Sequence, residues 1–94
     1  MKRIPTHPGE ILKDELEVRG LSINRFAHYL GVPPGRISQI IQGKRSISPD
    51  TALRLGRYFG NSPQFWMNLQ IQHDLAITER DRGEDITAQV ATAK

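Results

Sequence analysis

Glycine and proline divide this chain into short segments, and this punctuation restricts what it can fold into. Pro8 follows Thr6 and His7, and Gly20 comes about three helical turns later. Proline suits the first turn of a helix, where its missing N–H would have no partner, and glycine readily ends a helix. The same start and stop signals recur at Ser22, Gly31, Pro34, Gly43, Ser48, Pro49, Gly60, Ser62 and Pro63. No segment alternates between apolar and polar residues over four or more positions, so we predict five helices and no sheet.

Apolar residues follow helical spacing within these segments. The predicted buried faces carry Ile11, Leu12 and Leu16, then Ile23, Phe26, Ala27 and Leu30, then Ile37, Ile40 and Ile41, and then Ala52, Leu53, Leu55, Gly56 and Phe59. The fifth helix is predicted to run to about Arg80 and to be broken by the segment 81–85. We therefore expect a single domain over residues 1–94, with its core at about 7–80 and a mobile tail at 81–94.

Composition excludes several classes of protein. The chain has 94 residues, 37% of them hydrophobic and 24% charged, within the range of folded proteins. The absence of cysteine excludes disulfides and thiolate metal sites. No apolar run approaches the length of a membrane span, and the basic start at Met1, Lys2 and Arg3 has no apolar stretch behind it. We expect a cytoplasmic protein with no membrane partner.

Charge is unevenly distributed along the chain. The segment 18–49 holds five basic residues and no acidic one, although the net charge of the whole chain is only +3. Such a basic segment favours a polyanionic partner, with nucleic acid first. The alternative is a basic face that is simply solvated.

The second and third predicted helices are joined by Leu30, Gly31, Val32 and Pro33, a short turn typical of the helix-turn-helix motif. In that motif the second helix lies in the major groove of DNA. The outward side of the third helix carries Pro34, Gly35, Arg36, Ser38, Gln39 and Gln42. Arg can pair with guanine and Gln with adenine, so we expect Arg36 and Gln39 to read bases, supported by Ser38.

Other residues are placed to approach the DNA backbone. Pro34 and Gly35 bring the start of the third helix close to the duplex, where its N–H groups favour phosphate. Backbone contacts are expected on one side from Ser22, Asn24 and Arg25, and on the other from Lys44, Arg45 and Ser46. For each of these residues the alternative is a solvated surface side chain.

The ordered motifs HPGEIL at 7–12, QGKRSIS at 42–48 and NSPQFWMNLQ at 61–70 resemble the HigA family of antitoxins, within the XRE/Cro-like helix-turn-helix repressors. The resemblance covers residues 5–80. It implies a lambda-repressor-like five-helix fold with a long C-terminal helix, and a dimer that binds a palindromic double-stranded operator and represses its own operon. It also implies neutralisation of a HigB-like toxin, a ribosome-dependent mRNA endonuclease. Pro34 and Gly35 stand where repressors often carry larger polar residues, which shifts base reading toward Arg36 and Gln39.

The fifth helix presents two apolar groups. We expect Phe65, Trp66 and Leu69 to pack in the core. Met67, Ile71 and Leu75 lie on another side at spacings of four, and we expect them to pair with their copies in a homodimer; the alternative is a partly exposed stripe. The acidic side of the first helix (Glu10, Asp14, Glu15 and Glu17) is a candidate toxin surface, with a solvated helix face as the alternative. Without a toxin the chain would be a stand-alone XRE-type repressor.

Two rival classes are disfavoured. His7, His28 and His73 are far apart in sequence, and none has a metal-ligand spacing to a second His or Cys, so we predict no metal site, no cofactor and no catalytic residue. The chain also lacks a phosphate-binding glycine loop and a nucleophile elbow. An RNA-binding module would need an aromatic stacking platform, whereas the few aromatic residues here fall on predicted buried stripes.

Overall fold

The five predicted helices are present in the computed structural model, which describes residues 3–93. They are α1 (Pro8–Arg19), α2 (Ile23–Leu30), α3 (Pro34–Ile41), α4 (Pro49–Phe59) and α5 (Pro63–Gln89). The described residues contain no strand, so the all-α prediction is confirmed. Met1 and Lys2, part of the basic start, and Lys94, the last residue of the predicted tail, lie outside the described residues.

Local capping explains where the helices begin. Ser22, Ser48 and Ser62 each precede a helix, and each side chain accepts a hydrogen bond from the backbone N–H three residues later. Four of the helices have proline in their first turn. At the end of α2, Gly31 adopts a φ of 70°, which a residue with a side chain rarely accepts, and the chain can therefore turn sharply into α3.

The core is built from one face of each helix. Leu12, Phe26, Ile37, Leu55 and Trp66 are almost completely buried and come from five different helices. Trp66 also donates its ring N–H to the side-chain oxygen of Asn61 at 2.8 Å, which satisfies its polar atom at the edge of the core.

Three residues predicted to be buried are exposed instead, and one of them is Tyr29, an aromatic residue that is 50% exposed. Leu53 is 63% exposed, because one step along a helix from buried Ala52 turns the side chain by about 100° away from the core. Phe65 is 43% exposed for the same reason, and its ring packs edge-on against Trp66 at 5.2 Å rather than entering the core beside it.

The predicted break at 81–85 is wrong, because α5 continues to Gln89. Gly83 costs only about 1 kcal/mol in a helix interior, and its neighbours are compatible with helix. Arg82 and Asp85 approach to 3.9 Å on one helix face. From Thr78 to Gln89 every residue except Gly83 is exposed, and the described chain measures 51 × 25 × 20 Å. Among residues 3–93, no helix combines the length and the apolar character needed to cross a membrane.

Candidate nucleic-acid interface

The turn between α2 and α3 separates a packed side from an outward side. Val32 is buried, and its N–H donates to the carbonyl of Ala27 at 3.1 Å. Ile37 and Ile40 are fully buried, so they fix one face of α3 against the core. The opposite side of α3 presents the predicted polar set: Pro34, Gly35, Gln39 and Gln42 are exposed, and Arg36 and Ser38 are half-buried.

Gln39 and Ser38 lie on the outward side with donors still available. Ser38 Oγ accepts a hydrogen bond from Gln42 Nε2 at 3.0 Å, which leaves the hydroxyl proton of Ser38 able to donate. Gln39 Oε1 lies 3.5 Å from Arg45 Nη1, a long contact that leaves the Gln39 amide group able to pair with a base edge. The structure thus brings Ser38, Gln39 and Arg45 together on one surface.

Arg36 is held by a carboxylate, which the acid-free segment 18–49 gave no reason to expect. Its Nη1 donates to Asp50 Oδ1 at 2.9 Å, and the Arg36 side chain is only 25% exposed. Asp50 lies one residue beyond the acid-free segment, in the first turn of α4. The fold brings the first turn of α4 within reach of Arg36, so this residue of the outward set on α3 has an acidic partner.

Arg54 links this carboxylate to the end of α2. Its Nε donates to Asp50 Oδ1 at 2.8 Å, and its Nη1 donates to the carbonyl oxygen of Leu30 at 2.9 Å. The hydrogen bonds from Arg54 and from Arg36 lower the pKa of Asp50 below its usual value, so Asp50 is ionised at neutral pH. The same partnership with Asp50 raises the pKa of Arg54. Arg54 was not singled out from the sequence, because its partners are distant along the chain.

The residues predicted to contact the DNA backbone come before and after α3 in the chain. Ser22, Asn24 and Arg25 are exposed at the start of α2, where Ser22 Oγ accepts from the backbone N–H of Arg25 at 3.1 Å. Lys44, Arg45 and Ser46 are exposed in the loop before α4.

Gln70 fixes the loop that carries these basic residues. Ile47, which ends the loop, is buried, and its N–H donates to Gln70 Oε1 at 2.9 Å. Gln70 is itself buried on α5, and its Nε2 donates to Asp74 at 3.0 Å. A polar residue inside an apolar stripe was the available sequence signal for this contact, but its partner could not be identified before the fold was known.

The residues predicted to form the dimer interface lie on the outer side of α5. Ile71 is 48% exposed and Leu75 is 64% exposed, whereas Met67 is half-buried. Two large aliphatic side chains on one exposed helix face are available for pairing, and their pairing stays a prediction.

His7 and His73, which are far apart in sequence, are in contact in the fold. Their rings meet edge to face at 5.0 Å, because α5 passes the start of α1. His7 Nδ1 accepts from the N–H of Gly9 at 2.9 Å and caps α1, while His73 Nδ1 donates to the carbonyl of Pro5 at 2.7 Å. Burial, and then the neighbouring His73, lower the pKa of His7. No group of three or more metal-ligating side chains occurs within residues 3–93.

Comparison with known proteins relates both the sequence and the fold to DNA-binding proteins of bacteria. Residues 12–66 match the helix-turn-helix family. Virulence-associated protein I of Dichelobacter nodosus is 49% identical over 77 residues, which span 81% of this chain and 71% of that protein.

Two solved structures share the whole fold. One is an addiction module antidote protein of the HigA family from Coxiella burnetii, 41% identical with a TM-score of 0.91, for which the match covers 97% of this chain and all of that one. The other is the Pseudomonas aeruginosa antitoxin HigA with the higBA promoter, 42% identical with a TM-score of 0.89, for which the match covers 96% of this chain and 99% of that one.

Proposed function

Because the chain belongs to the HigA family of helix-turn-helix antitoxins, we propose that it binds the operator of its own toxin–antitoxin operon and represses transcription from it. Membership in this family makes it a DNA-binding protein and not an enzyme. The observation that carries the proposal is the outward polar face of α3, supported on its other side by fully buried isoleucines. A relative of the same fold was crystallised with its promoter.

Base reading is assigned to Arg36, Gln39 and Ser38. Gln39 is exposed near the middle of α3 and can pair in bidentate fashion with adenine, while the Ser38 hydroxyl can serve more than one base. Arg36 donates only its Nη1 to Asp50, so the N–H groups on Nε and Nη2 keep their capacity to form a fork to guanine O6 and N7.

Positioning on the duplex is assigned to the residues around α3. Arg25, Lys44 and Arg45 supply positive charge on either side of the helix, and Ser22, Asn24 and Ser46 supply neutral donors beside them. Pro34 and Gly35 present little bulk at the start of α3, and this lets the backbone approach a phosphate. Such contacts set register and salt dependence without reading sequence.

We propose that the chain forms a homodimer through Met67, Ile71 and Leu75 of α5. We also propose that the operator of this dimer is palindromic. A two-fold dimer presents two copies of α3, which matches two half-sites on DNA. The exposure of Ile71 and Leu75 supports this pairing, since it would remove two large aliphatic side chains from water.

The second proposed partner is a HigB-like toxin, and the proposed location is the cytoplasm, where a bacterial operator lies. The candidate toxin surface is the acidic side of α1, where Glu10, Asp14 and Glu17 are exposed. These carboxylates could meet a basic ribonuclease by charge complementarity. Co-purification of a small basic protein encoded beside this gene would support the antitoxin role, whereas its absence would favour a stand-alone XRE-type repressor.

The test of DNA recognition is selection of duplexes by the purified chain from a randomised library, followed by measurement of binding to the selected duplex and to a scrambled one. Arg36→Ala should cost about 1–3 kcal/mol on the selected duplex and much less on the scrambled one. Lys44→Ala should weaken binding to both duplexes by a similar factor and reduce the dependence on salt. Equal losses on both duplexes for Arg36→Ala would mean that Arg36 touches only phosphate.

A further inference from the structure

Asp50 connects α3, the proposed base-reading helix, to α4 and α2, and it does so through a single oxygen atom. Oδ1 accepts from Arg36 Nη1 on α3 at 2.9 Å and from Arg54 Nε on α4 at 2.8 Å. Arg54 then reaches the carbonyl of Leu30 at the end of α2. The orientation of the Arg36 guanidinium is therefore tied to the relative placement of α2, α3 and α4.

The role of Asp50 at the start of α4 does not require this arrangement. An acidic residue in the first turn favours a helix through the helix dipole, whichever way its neighbours point. The bond to Arg36 spans 14 residues and connects two helices. The Asp50 carboxylate also places a negative charge beside the surface proposed to bind DNA. This charge lowers the affinity of the surface for phosphate, whatever the DNA sequence.

We propose that Asp50 is a positioning residue for sequence recognition: it holds Arg36 with its Nε and Nη2 edge available for guanine and keeps it from pairing freely with phosphates. The inference rests on the proposed DNA-binding function. A freed Arg36 would bind any nearby phosphate, since guanidinium matches phosphate as well as it matches guanine. The Asp50 carboxylate thus lowers the affinity for DNA of any sequence. It leaves the Nε and Nη2 groups of Arg36 free to pair with a guanine.

The substitution that tests the proposal is Asp50→Asn, which keeps the shape of the side chain and removes its charge. Its affinity for scrambled DNA should rise, and the ratio of selected to scrambled affinity should fall by about ten-fold. The slope of log affinity against log salt on scrambled DNA should steepen by about 0.9, the value for one additional phosphate contact. A thermal melt of each variant establishes that the fold is retained.

The matched control is Asp81→Asn, which removes the same charge from an exposed aspartate bound to Arg80 at 2.8 Å, far along α5. It should leave the affinity ratio unchanged. A second comparison uses Arg36→Ala as the background. If Asp50 acts through Arg36, adding Asp50→Asn to Arg36→Ala should cause no further fall in the ratio.

The outcomes separate this inference from the proposed function. An unchanged ratio in Asp50→Asn, while the wild-type chain discriminates between the duplexes, would overturn the inference alone. A fall of equal size in the Arg36→Ala background would also overturn it, because the carboxylate would then act as a general charge. A wild-type chain that binds both duplexes equally would overturn the proposed function and the inference together.

Discussion

His7 caps α1 with a ring nitrogen, where the other capped helices of this chain use serine. The acceptor is Nδ1, so the cap exists only while that nitrogen carries no proton. The ring also lies against His73, with Asp74 and Glu10 as the nearby acidic groups. The net effect of burial and of these charges lowers the pKa of His7 from its usual value of 6.5. The hydrogen bond that caps α1 therefore depends on pH, because protonation of His7 Nδ1 removes it.

We predict that the protein loses stability in mild acid because His7 becomes protonated. A histidine whose pKa is lowered by folding binds a proton more readily in the unfolded chain. Its contribution is complete above 6.5 and is lost as the pH falls through the lowered folded value. Thermal melts between about pH 8 and about pH 5 should show this loss, and it should be smaller in His7→Asn, because asparagine caps a helix without titrating. Equal losses in both proteins would assign the effect to other groups.

At the scale of helices, α1 crosses α3 at a point where only glycine fits. A Cβ at Gly9 would overlap the carbonyl oxygen of Ile40 and would lie 3.0 Å from His7 Nδ1. Gly35 occupies the equivalent position of α3, directly after the first proline of its helix, and a Cβ there would meet nothing within 4 Å. The two glycines thus share a local setting and differ only in what faces them.

Gly9→Ala and Gly35→Ala form a matched pair for chemical denaturation. Alanine favours a helix over glycine by up to about 1 kcal/mol, and Gly35→Ala should gain part of that. Gly9→Ala should lose about 1–2 kcal/mol net, because the clash with the backbone of Ile40 outweighs the gain in helix propensity. A stabilised Gly9→Ala would show that α1 can shift on α3 without cost.

Helix positions were predictable because they depend on local chemistry. Ser22, Ser48 and Ser62 cap the helices they were expected to start. The errors concern context: Leu53 was placed inside and lies outside, since neighbouring apolar residues do not reveal which one faces the core. The segment 81–85 was expected to break α5, yet a single glycine, which costs only about 1 kcal/mol, does not stop the helix.

At the scale of the whole molecule, the contacts that the sequence did not reveal join distant parts of the chain. The outward set on α3 was found from spacing and charge, but the bond between Arg36 and Asp50 and the contact between His7 and His73 were not. Both arise only when helices are packed together. Sequence therefore identified candidates for touching DNA and could not identify the groups that hold them.

The proposed dimer is also a property of the whole molecule. It can be tested by introducing aspartate at the proposed interface and, as a control, at an exposed site elsewhere. Ile71→Asp should convert a dimer to a monomer in light scattering at micromolar concentration, because a charge would be buried without a partner. Leu53→Asp, on α4, is the control: its side chain is 63% exposed, and it should leave the mass unchanged. A dimer that survives Ile71→Asp would place the interface elsewhere.

Deuterium uptake at the projecting end of α5 can show whether this end is covered. Beyond Thr78 its amides are held mainly by the helix they belong to, since almost every side chain there faces water. Short unsupported helical turns open easily. Deuterium should therefore enter residues 79–89 long before it enters α2 or α4. Any slowing of that uptake on raising the protein concentration, or on adding a second component, would measure directly how much of this end becomes covered.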